Sequence, residues 1–276
     1  DRCLSRGLGD VYKRQIYGDY PELAKKLLRS LNNFEHVHDI RIGLNDVSTT
    51  TADFVHDWAT SICRSVPVLL FQEQDNKNVG KYPLMRQMFK YRELANKVMW
   101  FDDDSYLASE VDACWWDAVD EASQHATQLG ALHAIRQRGK QWSHIQEQPW
   151  FTGKTVGPKH KYKFATGGWW VIESEFIKQW DYPFPELYHN GGDSMLGELL
   201  RQQGKLIKSP STLMKCHCES CENKVNPKAN LAVVHINVGG RKGRRGIGVT
   251  DEKYIWATEP NLSHQNFNLK VINYGI

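Results

Sequence analysis

The stretch Lys97-Val98-Met99-Trp100-Phe101-Asp102-Asp103-Asp104-Ser105 decides the fold. Lys97 to Phe101 reads as a buried strand, and it runs directly into three adjacent carboxylates. Upstream, strand and helix signals alternate. Pro21 suits a first helical turn, and Leu23, Leu27, Leu28 and Leu31 follow at helical spacing, with Lys25, Lys26 and Arg29 on the opposite face. Asp39 to Leu44 predicts a short strand. Thr50-x-x-Asp53 has the form of a capping box, opening a helix that carries Phe54, Val55, Trp58 and Ile62. Val66 to Phe71 is rich in strand formers. A polar loop, Asp75 to Gly80, then leads into a helix expected from about Tyr82 to Ala95. This βαβαβαβ rhythm predicts an α/β protein with a mostly parallel central sheet and helices on both faces. Ligands of such sheets bind at the carboxyl ends of the strands, where Asp102 to Asp104 stand.

Downstream the pattern is less regular. A helix is expected near Val111 to His125, a strand near Leu129 to Ile135, and a long loop over Gln137 to Lys163 as a mobile flap. Trp169 to Ile172 reads as a strand, and Asp193 to Gln203 as a helix ended by Gly204. Residues 16–208 are thus expected to form the catalytic domain. Residues 209–276 form an irregular C-terminal extension packed on the same domain. The first fifteen residues, DRCLSRGLGDVYKRQ, resemble a translated adaptor sequence that recurs at the ends of metagenomic contigs. On that resemblance residues 1–15 are an assembly artefact, and a foreign segment stands where a first apolar strand belongs.

Composition narrows the class. The chain has 276 residues, 41% hydrophobic and 24% charged, with a formal net charge of +3. That balance belongs to a globular protein able to bury an ordinary core. No apolar run approaches the ~20 residues needed to cross a bilayer, so no membrane span is expected. Three of the six cysteines crowd into Cys216-His217-Cys218-Glu219-Ser220-Cys221, unlike the spacing of a secreted disulfide scaffold. A reducing, cytoplasmic setting is the expectation.

Three neighbouring carboxylates at a strand end repel one another and lose hydration. A divalent cation offsets both costs. Hard oxygen ligands suit Mg²⁺ or Mn²⁺, and such an ion bridges readily to a diphosphate. The competing reading is a solvated acidic turn.

Here the sequence resembles a known family. The segment MWFDDDSYL is similar to the DxD region of GT-A-fold, nucleotide-sugar glycosyltransferases, family 2-like. The resemblance implies a GT-A (Rossmann-like) fold, with Asp104 as the metal ligand. It sets Asp102 at the nucleotide, as a second candidate ligand, and Asp103 near the metal or donor sugar. Four further stretches resemble the family in the same order. Tyr17-Gly18-Asp19-Tyr20-Pro21 resembles the turn that holds the donor base, through Tyr17 and Asp19. Asn76 to Lys81 resembles the loop beside the DxD strand, putting Asn78 and Lys81 on the donor side. Thr166 to Phe176 resembles the acceptor segment, in which Gly167 and Gly168 let the backbone approach the donor. His189-Asn190-Gly191-Gly192-Asp193 resembles the motif that supplies a catalytic base, Asp193, whose alternative role is a helix N-cap. A C-terminal His often completes the metal site in this family. His235 is the best candidate, with His217 and His189 competing.

Two features stand outside that resemblance. Cys216, Cys218 and Cys221 have spacing suited to zinc thiolates, though only half of a four-ligand pattern is visible, and reduced thiols in a loop are the alternative. Gly239 to Gly248 carries Arg241, Lys242, Arg244 and Arg245 on a glycine-rich loop, suited to phosphate groups of a donor diphosphate or a nucleic-acid backbone. The expected activity is metal-dependent, inverting hexosyl transfer from a UDP-sugar to a hydroxyl. The acceptor is a hydroxymethylated pyrimidine in phage-like DNA or, failing that, a glycan. The rivals are a zinc-containing nucleic-acid-binding protein and a metal-dependent nucleotidyltransferase.

Overall fold

A computed structural model describes residues 10–18, 20–31, 34, 37–103, 105–107, 119–136, 139–155, 161–188, 191–208, 214–216, 233–235 and 268–275. The first strand, β1 (Asp10–Gly18), is followed by α1 (Pro21–Arg29), β2 (Val37–Val47), α2 (Thr49–Ile62), β3 (Val68–Glu73), α3 (Lys81–Lys90) and β4 (Lys97–Asp102). Then come β5 (Ser105–Leu107), β6 (Gln128–Arg136), α4 (Gly139–Gln146), β7 (Lys161–Glu173), α5 (Ser174–Gln179) and α6 (Gly192–Gln202). Four short strands close the series: β8 (Ile207–Lys208), β9 (Met214–Cys216), β10 (Val233–His235) and β11 (Leu269–Tyr274).

Eight strands form the central sheet, in the order β11-β3-β2-β1-β4-β7-β6-β8. The run β3-β2-β1-β4 is parallel, as the alternation with helices requires. The expectation of a mostly parallel sheet holds for this half. The other half is mixed: β7 runs antiparallel to both β4 and β6, and β11 antiparallel to β3. A second sheet, β5-β10-β9, branches off directly after the acidic triplet.

Each face of the central sheet carries its own core, because successive side chains of a strand point to opposite faces. On one face Met99 and Phe101 join Ile40, Ile42 and Leu44 of β2 beneath α1 and α2. On the other, Val98 and Trp100 meet Leu84, Met85 and Met88 of α3 and Met195, Leu196 and Leu199 of α6. The paired tryptophans are part of this packing. Trp169 and Trp170 are both fully buried, Trp170 stacked on Trp100 with ring centroids 6.0 Å apart. Neither is available to a sugar.

Residues 10–15, which carry the adaptor resemblance, form most of β1 and occupy the first-strand position between β2 and β4, where a foreign segment was expected. Three local expectations need correction. The cap of α2 is Ser48, whose hydroxyl accepts from Thr51 N–H at 3.3 Å, rather than a box opened by Thr50. The helix of the third crossover ends at Lys90 rather than Ala95. The expected flap over Gln137 to Lys163 contains α4, which buries Trp142 and Ile145, and gives way to β7 at Lys161.

One buried ion pair anchors the crossover helix. Asp39 and Arg41 on β2 are both fully buried and joined at 2.9 Å. The Arg41 guanidinium also donates to the carbonyls of Met88 at 2.6 Å and Glu93 at 2.8 Å. It thereby supplies donors to carbonyls at the C-terminal end of α3. The opposite end of α3 faces Asp102.

Candidate active site

Strand β4 delivers Asp102 to the edge of the core, with 22% of its side chain accessible. Trp100, two residues earlier on the same face, donates its indole N–H to Asp102 Oδ1 at 2.7 Å. The Lys81 ammonium lies 2.8 Å from Oδ1 and 3.0 Å from Oδ2. It also sits over the rings of Tyr82 and Trp100, at 5.5 and 5.8 Å from their centroids. Both oxygens of Asp102 are therefore engaged. Burial alone would depress the Lys81 pKa, but the carboxylates of Asp102 and Asp193 outweigh it and hold the ammonium charged well above neutral pH.

Lys81 is set by the loop before it. Asn76 takes a left-handed backbone, φ 51°, and its side-chain amide bridges both backbone groups of Val47, accepting from N–H at 3.2 Å and donating to C=O at 2.8 Å. Asn45, buried at the end of β2, accepts from Val79 N–H at 2.9 Å and donates to Asn78 at 3.2 Å. Asn78 in turn accepts from Gly80 N–H at 2.9 Å. Gly80, at φ 82°, starts α3. An added Cβ there would meet the Tyr188 ring at 2.6 Å, so this turn admits glycine on two grounds.

Asp193 approaches from the opposite side. Gly191, at φ 83°, is the N-cap of α6, and Asp193 is the second helical residue. The alternative role of Asp193 as the cap residue is thus set aside, although an acid in the first turn still suits the helix dipole. Tyr82 O–H donates to Asp193 Oδ1 at 3.4 Å. Burial, then the carboxylates of Asp193 and Asp102, push the Tyr82 phenol well above its ordinary pKa, so it stays a proton donor. Tyr182 packs edge-on against Tyr82 at 6.5 Å and is raised in the same direction, by burial first. Nothing in the sequence marked Tyr82, Tyr182 or Trp100 as part of the site. The one usable signal was that Tyr82 follows Lys81 in a first helical turn.

The remaining sequence candidates divide into three groups. Gly168 is buried in β7 beside the end of β4, where pairing stops at Phe101–Trp169. Gly167 lies in the same irregularity, where four residues of β7 face one of β6. Tyr17 lies in β1 with its backbone opposite Asn45. His235 pairs through its backbone with Ser105, directly after the triplet, and with Cys216 on β9. The topology therefore brings the C-terminal candidate back to the acidic turn. Asp103 sits in that turn, half-buried. Asp19, Asp104, His189, His217, Cys218, Cys221, Arg241, Lys242, Arg244 and Arg245 lie outside the described residues.

The donor set can be judged for a divalent cation on its chemistry. Asp102 meets the Lys81 ammonium through both oxygens, which compensates its charge. Asp103, on the turn after β4, offers hard oxygens suited to Mg²⁺ or Mn²⁺, and Asp104 follows it in the sequence. Among the described residues, no group of three or more His, Cys, Asp or Glu side chains is arranged around a metal position. Among the same residues, no helix is long and apolar enough to cross a membrane.

No protein-family model matches the chain, and no curated protein matches it in sequence. Solved structures do resemble it. One is the mannosyltransferase PcManGT from Pyrobaculum calidifontis, in complex with GDP-Man and Mn²⁺. It aligns at a TM-score of 0.52 and 12% identity over 75% of this chain and 55% of its own. Another is GalNAc-T7 with UDP, GalNAc and Mn²⁺, at a TM-score of 0.52 and 12% identity over 74% of this chain and 43% of its own. The chain thus spans about half the length of these two neighbours. At such identity the likeness concerns architecture, and with the sheet order, the two-faced core and the acidic strand end it leads to one conclusion: the chain has the GT-A fold found in nucleotide-sugar glycosyltransferases.

Proposed function

We propose that the chain is a metal-dependent glycosyltransferase that moves a sugar from a nucleotide donor, UDP-linked, to a hydroxyl acceptor with inversion. The observation that carries this reading is the convergence of Asp102, at the carboxyl end of β4, and Asp193, in the first turn of α6, on the adjacent residues Lys81 and Tyr82. Two carboxylates from different elements at the end of parallel strands suit two tasks on one substrate pair.

In this reading Asp102, held by Lys81 and Trp100, faces the nucleoside. Asp104, with Asp102 and His235 as further ligands and Asp103 beside them, would hold Mn²⁺ or Mg²⁺. Such a cation, when bound, neutralises charge on the departing diphosphate. Asp193 accepts the proton of the acceptor hydroxyl as the oxygen attacks the anomeric carbon. One C–O bond forms, the bond from that carbon to the phosphate oxygen breaks, and the nucleoside diphosphate leaves with the bonding electrons. Gly167 and Gly168, in the middle of β7 beside the end of β4, leave room for the donor sugar.

For the acceptor we propose a hydroxymethylated pyrimidine in DNA, on the strength of Arg241, Lys242, Arg244 and Arg245. Retention on duplex DNA that weakens steeply with salt supports this. No retention at low salt removes the DNA acceptor and leaves the donor reading intact.

Thermal-shift screening separates glycosyl transfer from nucleotidyl transfer. Nucleotide sugars with Mn²⁺ should raise Tm more than nucleoside triphosphates with Mn²⁺. Stabilisation by triphosphates alone would favour the rival.

A further inference from the structure

The two carboxylates are gripped by consecutive residues of one helical turn. Lys81, the first residue of α3, holds Asp102 through both oxygens. Tyr82, the second, reaches Asp193. The Tyr82 ring is 1% exposed and packs against Gly192 in the first turn of α6. A Cβ on Gly192 would fall 2.6 Å from that hydroxyl oxygen. No side chain of α6 itself caps the helix. Tyr82 thus lies against the main chain at Gly192 and reaches the carboxylate of Asp193 from a neighbouring element. It cannot drift, because its own N–H donates to Tyr188 C=O at 3.0 Å and its ring is wedged between Gly192 and Tyr182. The far end of α3 is pinned by Arg41.

We infer that the first turn of α3 is the positioning element of the site. Lys81 orients Asp102 on the donor side and Tyr82 orients Asp193 on the acceptor side, which fixes the spacing of the two carboxylates. The inference rests on the roles proposed above for Asp102 and Asp193. Neither Lys81 nor Tyr82 performs a chemical step. Each acts through the carboxylate it holds, and the two act on different halves of the reaction.

That division gives the test. In Mn²⁺-dependent release of UDP from a UDP-sugar, with water as acceptor, Tyr82→Phe keeps the ring and loses the hydroxyl. It should lower kcat about tenfold and leave the donor KM within twofold. Lys81→Met should raise the donor KM about tenfold and weaken UDP binding by calorimetry to the same degree, whereas Tyr82→Phe should leave UDP binding unchanged. Both substitutions acting on one parameter would overturn the assignment. A second arm needs no activity. A double-mutant cycle of Tyr82→Phe with Asp193→Asn, read by urea unfolding, should show a coupling of about fivefold in the unfolding equilibrium. Additive effects would overturn the Tyr82–Asp193 unit, even if the glycosyltransferase reading stands. Coupling without UDP release would retain the unit and refute that reading.

Discussion

Gly192→Ala is the substitution with the most informative outcome. Gly192 opens α6 against the Tyr82 ring. A methyl group there would lie 2.3 Å from Cζ, 2.4 Å from Cε1 and 2.6 Å from the hydroxyl oxygen. None of these atoms belongs to a flexible end. The ring is 1% exposed and is backed edge-on by Tyr182, so α6 must move instead. Overpacking a filled site costs ~1–3 kcal/mol. Alanine recovers at most ~1 kcal/mol of helix propensity, and less at a helix start. A net loss of ~1–2 kcal/mol lowers Tm by roughly 2–8 °C in a chain of this size. The effect on turnover is larger. Shifting the first turn of α6 by ~1 Å carries Asp193 out of line, and misplacement on that scale costs ~100-fold in rate. Circular-dichroism melting and Mn²⁺-dependent UDP release from a UDP-sugar measure the two effects. Unchanged Tm and unchanged turnover would refute the close packing of α6 on Tyr82.

Three other outcomes follow from the same structure. Arg41→Met leaves Asp39 buried without its guanidinium and should cost ~3–5 kcal/mol in urea unfolding. Asp39→Leu with Arg41→Met should recover most of that loss. Trp100→Phe removes the indole donor to Asp102 Oδ1, and should raise the donor KM severalfold while Tm falls by a few degrees. The pH dependence has a definite sign. Lys81, Tyr82 and Tyr182 all have folded-state pKa values above their ordinary ones. Their contribution is fully present below the unfolded tyrosine value of about 10, and is lost as pH climbs from there through the folded values. Chemical unfolding should therefore become steeply easier above about pH 10. Tyr82→Phe should flatten that slope, and an unchanged slope in the variant would contradict the burial of a protonated phenol.

Much of the fold was legible because burial has a period. The apolar stripe of α1 and the strands β2, β3 and β4 lie where spacing put them, since a helix or strand that buries one face must repeat at 3.6 or 2 residues. The two-faced core was implied by strands apolar at every position, such as Val98 to Phe101. What the sequence hid was set by tertiary partners. The antiparallel turn of β7 carries the same residues a parallel strand would. The helix α4 hides in a segment rich in Lys, Gln and Trp, and only the burial of Trp142 and Ile145 gives it a reason to form. Asn45 and Asn76 read as ordinary polar residues until their amides are seen satisfying the loop that places Lys81.

The site was legible in its charges and illegible in their connections. Asp102 and Asp193 are 91 positions apart, and only the packing of α3 between β4 and α6 joins them. Lys81 was expected on the donor side, and its ammonium lies on Asp102, a contact that no spacing rule anticipates. Tyr82 is a core aromatic, and its hydroxyl reaches Asp193 because Gly192 lets the ring come close to α6.

One measurement bears most directly on the central claim: a screen of nucleotide sugars with Mn²⁺, read as nucleoside diphosphate released, with Asp104→Asn and Asp193→Asn alongside. The account predicts slow Mn²⁺-dependent release from one donor class, strongest for UDP-sugars, and loss of about 100-fold or more in each variant. Full release by Asp104→Asn, or no release from any nucleotide sugar by the unaltered chain, would contradict it.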